Sequence, residues 1–332
     1  ATTATATVGP ASYRDAVSRA APAVVNIYTT RVVADQAYRL FADPLTQRTY
    51  PVPFLRQRLG RGLGSGVIIR DDGYLLTNYH VIADAQDIYV GLYDGRVTRA
   101  TVAGSDRDTD LAVLKLDGSG FPTASFAPPD GGLAVGDVVL AIGNPFGIGQ
   151  TVTLGIVSAT GRDQPNLSRY EDFIQTDATI NSGNSGGALV NAAGELVGIN
   201  TAQFGPGLGI NFAIPATAAR RVLDEILDHG YVIRGWIGAD YATATTSAAA
   251  VRDGLPRGVQ VVGIVPGGPA DLAGLRPGDI ILRFGGTEIA DESELRNREA
   301  STRPGTTVDV AGERAGVPFA LTVTLAERPR PS

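Results

Sequence analysis

The chain has 332 residues, of which 43% are hydrophobic, so we expect two domains with ordinary apolar cores. Its formal net charge of −6 argues against a nucleic-acid partner, which usually requires a basic patch. The sequence contains no run of about eighteen apolar residues, which excludes a membrane-spanning helix within it. Cysteine is absent and there are two histidines. The composition therefore excludes disulfides and predicts no zinc site, and we expect no metal or cofactor.

The N-terminal part of the chain predicts a lead-in, a short helix and a strand. Residues 1–10 are small and polar, and we expect them to be a disordered lead-in. They lack the basic start and apolar centre of a signal peptide, so we expect a part whose targeting segment has been removed. Ser12 is typical of a helix cap, and Val24–Thr30 favours a strand. Residues 33–62 have no clean period and predict a long loop, either functional or mobile.

Short apolar runs then recur between turn signals from Gly64 to Asn211. Their spacing predicts an antiparallel barrel or sandwich, and hence a mainly β domain. The runs are Gly66–Arg70, Ile88–Leu92, Leu111–Leu116, Val138–Ile142, Gly155–Ser158 and Leu196–Asn200. A helix is predicted over 215–230, where apolar residues fall on one face and Gly230 suits the position after the end. His229, in its last turn, is interpreted as structural.

Three polar residues in these segments are candidates for catalysis. Ser185 stands among glycines in the segment 181–187, where the N–H groups of Gly183 and Ser185 can face one oxygen atom. A glycine-rich turn without chemistry is the alternative. His80 ends an apolar run, and Asp110 begins a strand-like one. The order His80, Asp110, Ser185 is that of trypsin-like peptidases, so we predict a base, an orienting carboxylate and a nucleophile.

In the last hundred residues a second series of strand and helix signals begins. Gly258–Ile264 predicts a strand, Gly267–Ile281 a short helix with a following strand, and Asp291–Ser301 a second helix. The second helix is mostly charged, with only Leu295 and Ala300 as apolar groove residues.

These segments resemble the HtrA/Deg serine peptidases. Further segments that look like family signatures are Leu63–Ile69, Ala141–Gly147, Phe173–Ala178 and Phe212–Pro215. The likeness is greatest to the single-PDZ, membrane-anchored periplasmic members of the DegS and AlgW type, and it extends from about Ala11 to about Arg328. The resemblance implies two six-stranded β-barrels with the triad between them over 11–232. It implies a C-terminal α+β PDZ domain over 233–330.

The resemblance also implies roles for further residues. Gly183 and Ser185 match the oxyanion hole, and Ile199, Asn200 and Thr201 match the wall of the S1 pocket, which favours small aliphatic residues. Arg162 and Phe146 match an activation relay from a sensor loop. Trp236, Ile237 and Gly238 match the cradle that holds the terminal carboxylate of a peptide on the PDZ domain. Relatives place more apolar residues on the groove face of the second PDZ helix, so the peptide specificity of this chain is expected to differ.

By this resemblance we expect an ATP-independent serine endopeptidase of the bacterial envelope that is tethered to the inner membrane and forms a homotrimer. Hydrophobic C-terminal peptides of misfolded outer-membrane proteins are expected to activate it, and an anti-sigma factor is the expected substrate. Three alternatives stay open: a general periplasmic quality-control protease or chaperone, a secreted digestive peptidase, and a catalytically silent PDZ scaffold. Activity that ignores C-terminal peptides would favour either of the first two, and absence of serine labelling would favour the third.

Overall fold

The computed structural model describes residues 12–42, 48–128, 133–144, 149–162, 170, 172–181, 183–203, 209–243 and 258–329. These residues form two compact units. The first contains the described residues up to Arg162 and from Asp172 to Gly230, and the second contains Tyr170 and those from Tyr231 onward. Residues 1–10, expected as a disordered lead-in, lie outside the described residues. None of the described helices is long and apolar enough to cross a membrane.

The first half of the first unit is a closed antiparallel barrel of six strands. A helix, α1 (Arg14–Ala20), precedes the barrel, and the Arg14 N–H donates to Ser12 Oγ at 3.2 Å. The barrel consists of β1 (Val24–Ala42), β2 (Thr49–Ile68), β3 (Tyr74–Asn78), β4 (Asp87–Gly91), β5 (Val97–Asp106) and β6 (Leu111–Leu116), with one helical turn, α2 (Tyr79–Ile82), after β3. The strands pair in the order β1-β2-β3-β6-β5-β4, and β1 closes the barrel against β4.

The second half of the first unit is another closed barrel of six strands, which confirms the predicted pair of barrels. It consists of β7 (Val138–Gly143), β8 (Thr151–Arg162), β9 (Phe173–Thr176), β10 (Ala188–Asn191), β11 (Leu196–Gln203) and β12 (Asn211–Pro215). They pair in the order β10-β11-β12-β9-β8-β7. Alternate side chains of each barrel point inward, and the buried ones are mostly Ile, Leu, Val and Ala, as expected for closed barrels of short strands.

Helix α3 (Ala216–His229) follows the second barrel, within the range that periodicity predicts. Ala219, Val222, Leu223 and Ile226 are buried along one face, which is the apolar stripe of an amphipathic helix. Gly230 ends the helix with φ +80°, and its N–H donates to Ile226 O at 2.8 Å. The left-handed conformation at this position favours glycine.

Residues 33–62 form a regular hairpin over the described part, and the expectation of an irregular loop was wrong there. β1 and β2 pair residue for residue from Val24↔Val67 to Ala42↔Thr49. β4 pairs with β1 only over Asn26–Thr30, so the outer hairpin has no third strand among the described elements. Side chains on both of its faces are exposed, including Tyr38 at 64%. Because neither face is buried, the sequence needs no alternation of apolar and polar residues, and periodicity gave no signal.

The second unit is a small α+β domain around one sheet. Its elements are β13 (Gly235–Trp236), β14 (Ala239–Thr243), β15 (Val259–Ile264), α4 (Pro269–Leu272), β16 (Ile280–Phe284), β17 (Thr287–Glu288), α5 (Glu292–Ser301), β18 (Thr307–Arg314), β19 (Val317–Thr324) and β20 (Ala326–Glu327). The main sheet has the order β14-β15-β16-β18-β19, and β13 pairs with β20. β14 is therefore an edge strand among the described elements.

An ion pair with a buried carboxylate holds two parts of this domain together. The Asp279 side chain is 1% exposed, and Arg314 donates to its two oxygens from Nε at 2.6 Å and from an Nη at 2.8 Å. Burial acts to raise the pKa of the Asp279 carboxyl, but hydrogen bonds from Arg314 and from the Arg276 N–H outweigh it and hold that pKa below its usual range. The geometry is bidentate, which is the strongest arrangement for an arginine and a carboxylate.

Candidate active site

His80 lies on the single turn α2, directly after strand β3. Leu75 and Leu76 of β3 are fully buried, so the barrel core fixes the end of the strand and with it the start of the turn. The His80 backbone N–H donates to Asp110 Oδ1 at 3.0 Å. Its imidazole is 49% exposed, which leaves one side of the ring accessible to a substrate.

Asp110 lies just before β6 in the left-handed conformation, with φ 55° and ψ 36°. Its side chain is 12% exposed, and its carboxylate has three partners: the His80 backbone N–H, the His80 ring at Nδ1 (2.7 Å to Oδ2) and the Thr201 hydroxyl (2.8 Å to Oδ2). The Asp110 carbonyl oxygen accepts from Tyr79 N–H and from Asn78 Nδ2, both at 3.0 Å. These contacts hold the unusual backbone in place and aim the carboxylate at the imidazole.

The contact between His80 and Asp110 sets the tautomer of the imidazole. An ionised carboxylate only accepts hydrogen bonds, so Nδ1 carries the proton in this contact. Nε2 is then the basic nitrogen of the neutral ring, on the side away from Asp110. This is the arrangement in which a histidine takes a proton from a nucleophile.

Ser185 lies in a tight turn before β10, and its neighbours hold it against the first barrel. Ser65 N–H donates to the Ser185 carbonyl oxygen at 2.8 Å, and Gly186 N–H donates to Asn200 O at 2.8 Å. Gly186 has φ +83°, and a Cβ there would lie 2.2 Å from the Ser65 carbonyl oxygen. Only glycine fits this close approach, which explains the residue after the serine.

The Ser185 hydroxyl donates to the Thr201 carbonyl oxygen at 2.9 Å. Among the described residues it makes no hydrogen bond to His80. A turn about χ1 is therefore needed before Ser185 Oγ can pass its proton to Nε2. Such side-chain rotations are fast and cost little when both positions are staggered rotamers.

Two N–H groups beside the serine are available to a negatively charged oxygen. Within the described part of the chain, neither the Gly183 N–H nor the Ser185 N–H donates a hydrogen bond. Gly183 has φ +104°, and its carbonyl oxygen accepts from the Ser65 hydroxyl at 2.6 Å. The Asn144 N–H in turn donates to Ser65 Oγ at 3.0 Å. Ser65 thus fixes the peptide that follows Gly183 and links it to the end of β7.

Of the other residues predicted for the peptidase site, the structure places only some beside the triad. Ile199 and Asn200 are fully buried on β11, and Thr201 is 3% exposed. Of these three, the structure brings Thr201 to both Asp110 and Ser185. Arg162 ends β8, and its backbone pairs with Phe173, whereas its side chain is outside the described part. Phe146 lies outside the described residues.

Comparison with known proteins identifies relatives of both domains. A family model for a trypsin-like peptidase domain matches residues 64–199, and a model for a PDZ domain matches residues 235–325. The serine endoprotease DegS of Escherichia coli (strain K12) is 42% identical over 333 residues, which cover 96% of this chain and 87% of that protein. The chain belongs to the HtrA/Deg family of serine endopeptidases. The predicted fold, two trypsin-like barrels followed by a PDZ domain, is confirmed.

Other HtrA/Deg proteins extend the similarity. The periplasmic pH-dependent serine endoprotease DegQ of Escherichia coli (strain K12) is 42% identical over 92% of this chain and 68% of its own length. A solved structure of the HtrA-type protease AlgW with a decapeptide matches with a TM-score of 0.79 and 49% identity, over 96% of this chain and all of that one. The serine endoprotease from Yersinia pestis matches with a TM-score of 0.71 and 42% identity, over 97% and 100% of the two chains.

The HtrA/Deg resemblance predicts a peptide-binding segment at the start of the PDZ domain. Trp236 ends β13, Ile237 is fully buried, and Gly238 has φ +82° before the edge strand β14. The Ile237 N–H donates to Glu299 Oε1 at 2.6 Å, and Tyr241 of β14 donates its hydroxyl proton to Glu299 Oε2 at 2.9 Å. Burial raises the pKa of the Tyr241 phenol well above its usual value, and the charge of Glu299 raises it further.

Sequence reasoning missed three residues that organise these sites in this HtrA/Deg chain. Ser65 was noted only as part of a motif, and Thr201 only as part of the S1 wall. Glu299 was noted only as one of the charged residues of the second PDZ helix, and it is 5% exposed. Its position four residues after the buried Leu295 could have identified it, because residues four apart share one face of a helix.

Proposed function

We propose that His80, Asp110 and Ser185 are the catalytic triad of this HtrA/Deg endopeptidase and that a peptide on its PDZ domain regulates it. The observation that carries the proposal is the contact of 2.7 Å between His80 Nδ1 and Asp110 Oδ2, beside a serine held in a glycine turn. Family membership supports the reaction class. We assign the activity to the periplasm, because several relatives are named as periplasmic proteases.

In the proposed reaction, Ser185 Oγ rotates away from the Thr201 carbonyl and attacks the carbonyl carbon of a substrate peptide bond. As the C–O bond forms, the hydroxyl proton passes to His80 Nε2. Asp110 stabilises the imidazolium that results. His80 then gives the proton to the amide nitrogen, the C–N bond breaks and the amine leaves. Water repeats the sequence on the acyl-enzyme and releases the carboxylic acid, so no ATP or cofactor takes part.

The N–H groups of Gly183 and Ser185 are the proposed oxyanion hole. Neither is used within the described part of the chain, and the Ser65 hydroxyl holds the Gly183 carbonyl in place. In enzymes of this kind the loss of one oxyanion-hole donor costs about 2.7–4 kcal/mol of transition-state stabilisation. The wall of S1 is assigned to Ile199, Asn200 and Thr201, the segment after Gly198, and small aliphatic residues are expected before the cleaved bond. Discrimination is expected to be modest, about 1–3 kcal/mol per methylene.

Regulation is proposed through the PDZ domain and an activation relay of Arg162 and Phe146. The edge strand β14 supports this, since PDZ domains bind peptides as an added strand and hold the terminal carboxylate on backbone N–H groups. The HtrA-type protease AlgW has been solved with a decapeptide and with a tripeptide. A peptide that moves the protein from about 1% to about 99% active must favour the active form by roughly 5.5 kcal/mol.

We further propose that the native protein is a membrane-tethered homotrimer that cleaves an anti-sigma factor when C-terminal peptides of misfolded outer-membrane proteins accumulate. The support is the overall similarity to DegS, 42% identity over 87% of that protein. General quality control in the periplasm and a silent PDZ scaffold are the competing functions, and they differ in how cleavage responds to peptide.

The test is cleavage of an unfolded reporter protein, with and without a panel of peptides that end in hydrophobic residues. Ser185→Ala is the control for contaminating proteases. Low basal cleavage that particular peptides raise supports the regulated endopeptidase, and Arg162→Ala is then expected to lose most of this response. Cleavage that no peptide changes contradicts the regulation, and absence of cleavage in every condition contradicts the catalytic assignment.

A further inference from the structure

Glu299 is a buried carboxylate that the proposed reaction does not use. It lies on α5, is 5% exposed, and accepts from the Ile237 N–H at 2.6 Å and from the Tyr241 hydroxyl at 2.9 Å. A carboxylate in the interior is costly unless hydrogen bonds or charges compensate for the lost hydration. Leu295, one turn earlier on the same face, and the adjacent Ala300 are buried as well, so the side chain is directed into the domain.

Both donors to Glu299 belong to the segment that a peptide would use. Ile237 lies in the predicted cradle for the terminal carboxylate, and Tyr241 lies on β14, the edge strand along which a peptide strand would add. Helix α5 packs beside both β13 and β14. Glu299 Oε1 therefore already occupies a backbone N–H of the kind that holds a peptide's terminal carboxylate in PDZ domains.

We propose that Glu299 is a specificity-determining residue of the PDZ domain, an internal carboxylate that competes with the terminal carboxylate of an incoming peptide for the cradle. This inference rests on the proposed peptide binding and deepens it. Two carboxylates that share one set of donors repel each other, so the presence of Glu299 weakens binding of the second one. A peptide gains its carboxylate contacts only when Glu299 moves aside.

The competition changes how much the C-terminal carboxylate of a peptide contributes to its binding. In most PDZ domains a free terminal carboxylate strengthens binding, because the cradle is empty and presents N–H groups. Here the gain from the terminal charge is offset by Glu299, while strand addition along β14 and burial of side chains are unaffected. The wild-type domain is therefore expected to distinguish poorly between a peptide with a free C-terminal acid and the same peptide as an amide.

The test uses the full chain and a fluorescein-labelled decapeptide ending in Ala-Val-Phe, made as the acid and as the amide. Fluorescence anisotropy gives Kd for both forms with wild type, Glu299→Gln and Glu292→Gln. Glu299→Gln removes the charge at nearly constant shape. Glu292→Gln is the matched control, because Glu292 is on the same helix and its carboxylate pairs with Arg296 there. Tyr241→Phe removes one hydrogen bond to Glu299 and keeps its charge.

The inference predicts that the preference for the acid over the amide rises about tenfold or more in Glu299→Gln, and does not change in Glu292→Gln. Tyr241→Phe is expected to raise the preference by a smaller factor. A ratio of the two Kd values that is equal in wild type and Glu299→Gln overturns the inference and leaves peptide binding intact. Absence of binding by either form to every variant overturns both the inference and the peptide binding on which it rests.

Discussion

The Thr201 hydroxyl is expected to matter for catalysis through its hydrogen bond to Asp110. It donates to Asp110 Oδ2 at 2.8 Å, and Thr201 is 3% exposed, so water cannot readily replace the bond. Thr201→Val removes this donor and keeps the shape of the side chain. The backbone carbonyl of Thr201, which accepts from the Ser185 hydroxyl, is left in place.

The size of the effect follows from the partners of Asp110. A hydrogen bond to a charged group contributes about 1.5–3 kcal/mol. Two other donors, both from His80, remain on the carboxylate, so we expect the lower end of this range. A loss of about 1.4 kcal/mol of transition-state stabilisation lowers kcat/KM about tenfold. The loss is expected in kcat rather than in KM, because the carboxylate acts on the imidazolium and not on bound substrate.

The assay is steady-state cleavage of a fluorogenic peptide by wild type, Thr201→Val and Thr201→Ser at one concentration of activating peptide. Thr201→Ser keeps the hydroxyl and is expected to retain most of the activity. Thermal melting checks that all three proteins fold. Equal kcat/KM for Thr201→Val and wild type would refute the idea that this donor positions Asp110, as would an equal loss in both variants.

Three further changes test other parts of the account. Asp110→Asn is expected to lower kcat about 10⁴-fold, as in other Ser-His-Asp triads, in the same cleavage assay. Gly186→Ala adds a Cβ at φ +83° and 2.2 Å from a carbonyl oxygen, so urea unfolding should show a loss of at least about 2 kcal/mol. Arg314→Met leaves the buried Asp279 without its partner, so the free energy of unfolding near pH 7 should fall by about 2 kcal/mol. Arg283→Met is the control, because Arg283 belongs to an exposed pair, and it should lower that free energy by less than about 0.5 kcal/mol. The folded-state pKa of Asp279 is depressed, so the Arg314 contribution is complete above the usual aspartate pKa and fades as pH falls through the folded value; a difference that grows toward low pH would contradict this assignment.

Local pattern was enough to predict the elements that build the fold. The apolar stripe of α3 and the glycine after it specify a helix whose bounds the structure reproduces almost to the residue. His80 and Asp110 were placed at the ends of apolar segments, and the barrel brings those ends together because β3 and β6 are paired neighbours. Periodicity works in these cases because each element buries one face against a core.

Hydrogen bonds between residues far apart in the sequence could not be predicted from local sequence patterns. Thr201 and Asp110 are 91 positions apart, and Ser65 and Gly183 are 118 apart. The sequence around each residue contains no signal that identifies its distant partner. The outer hairpin of β1 and β2 lacks a buried face, so it carries no period. Glu299 was overlooked for another reason. Charged pairs four residues apart, such as Glu294 with Arg298, give the whole helix the pattern of a solvent-exposed one.

The central claim is that Ser185 is a nucleophile activated by His80, and labelling with a fluorophosphonate probe tests it most directly. The full chain is treated with the probe in the presence of activating peptides, digested and analysed by mass spectrometry, with His80→Ala as a variant that keeps the serine. The account predicts one adduct, on Ser185, and its near absence in His80→Ala. Labelling of His80→Ala at the wild-type rate, or an adduct on a different serine, would contradict it.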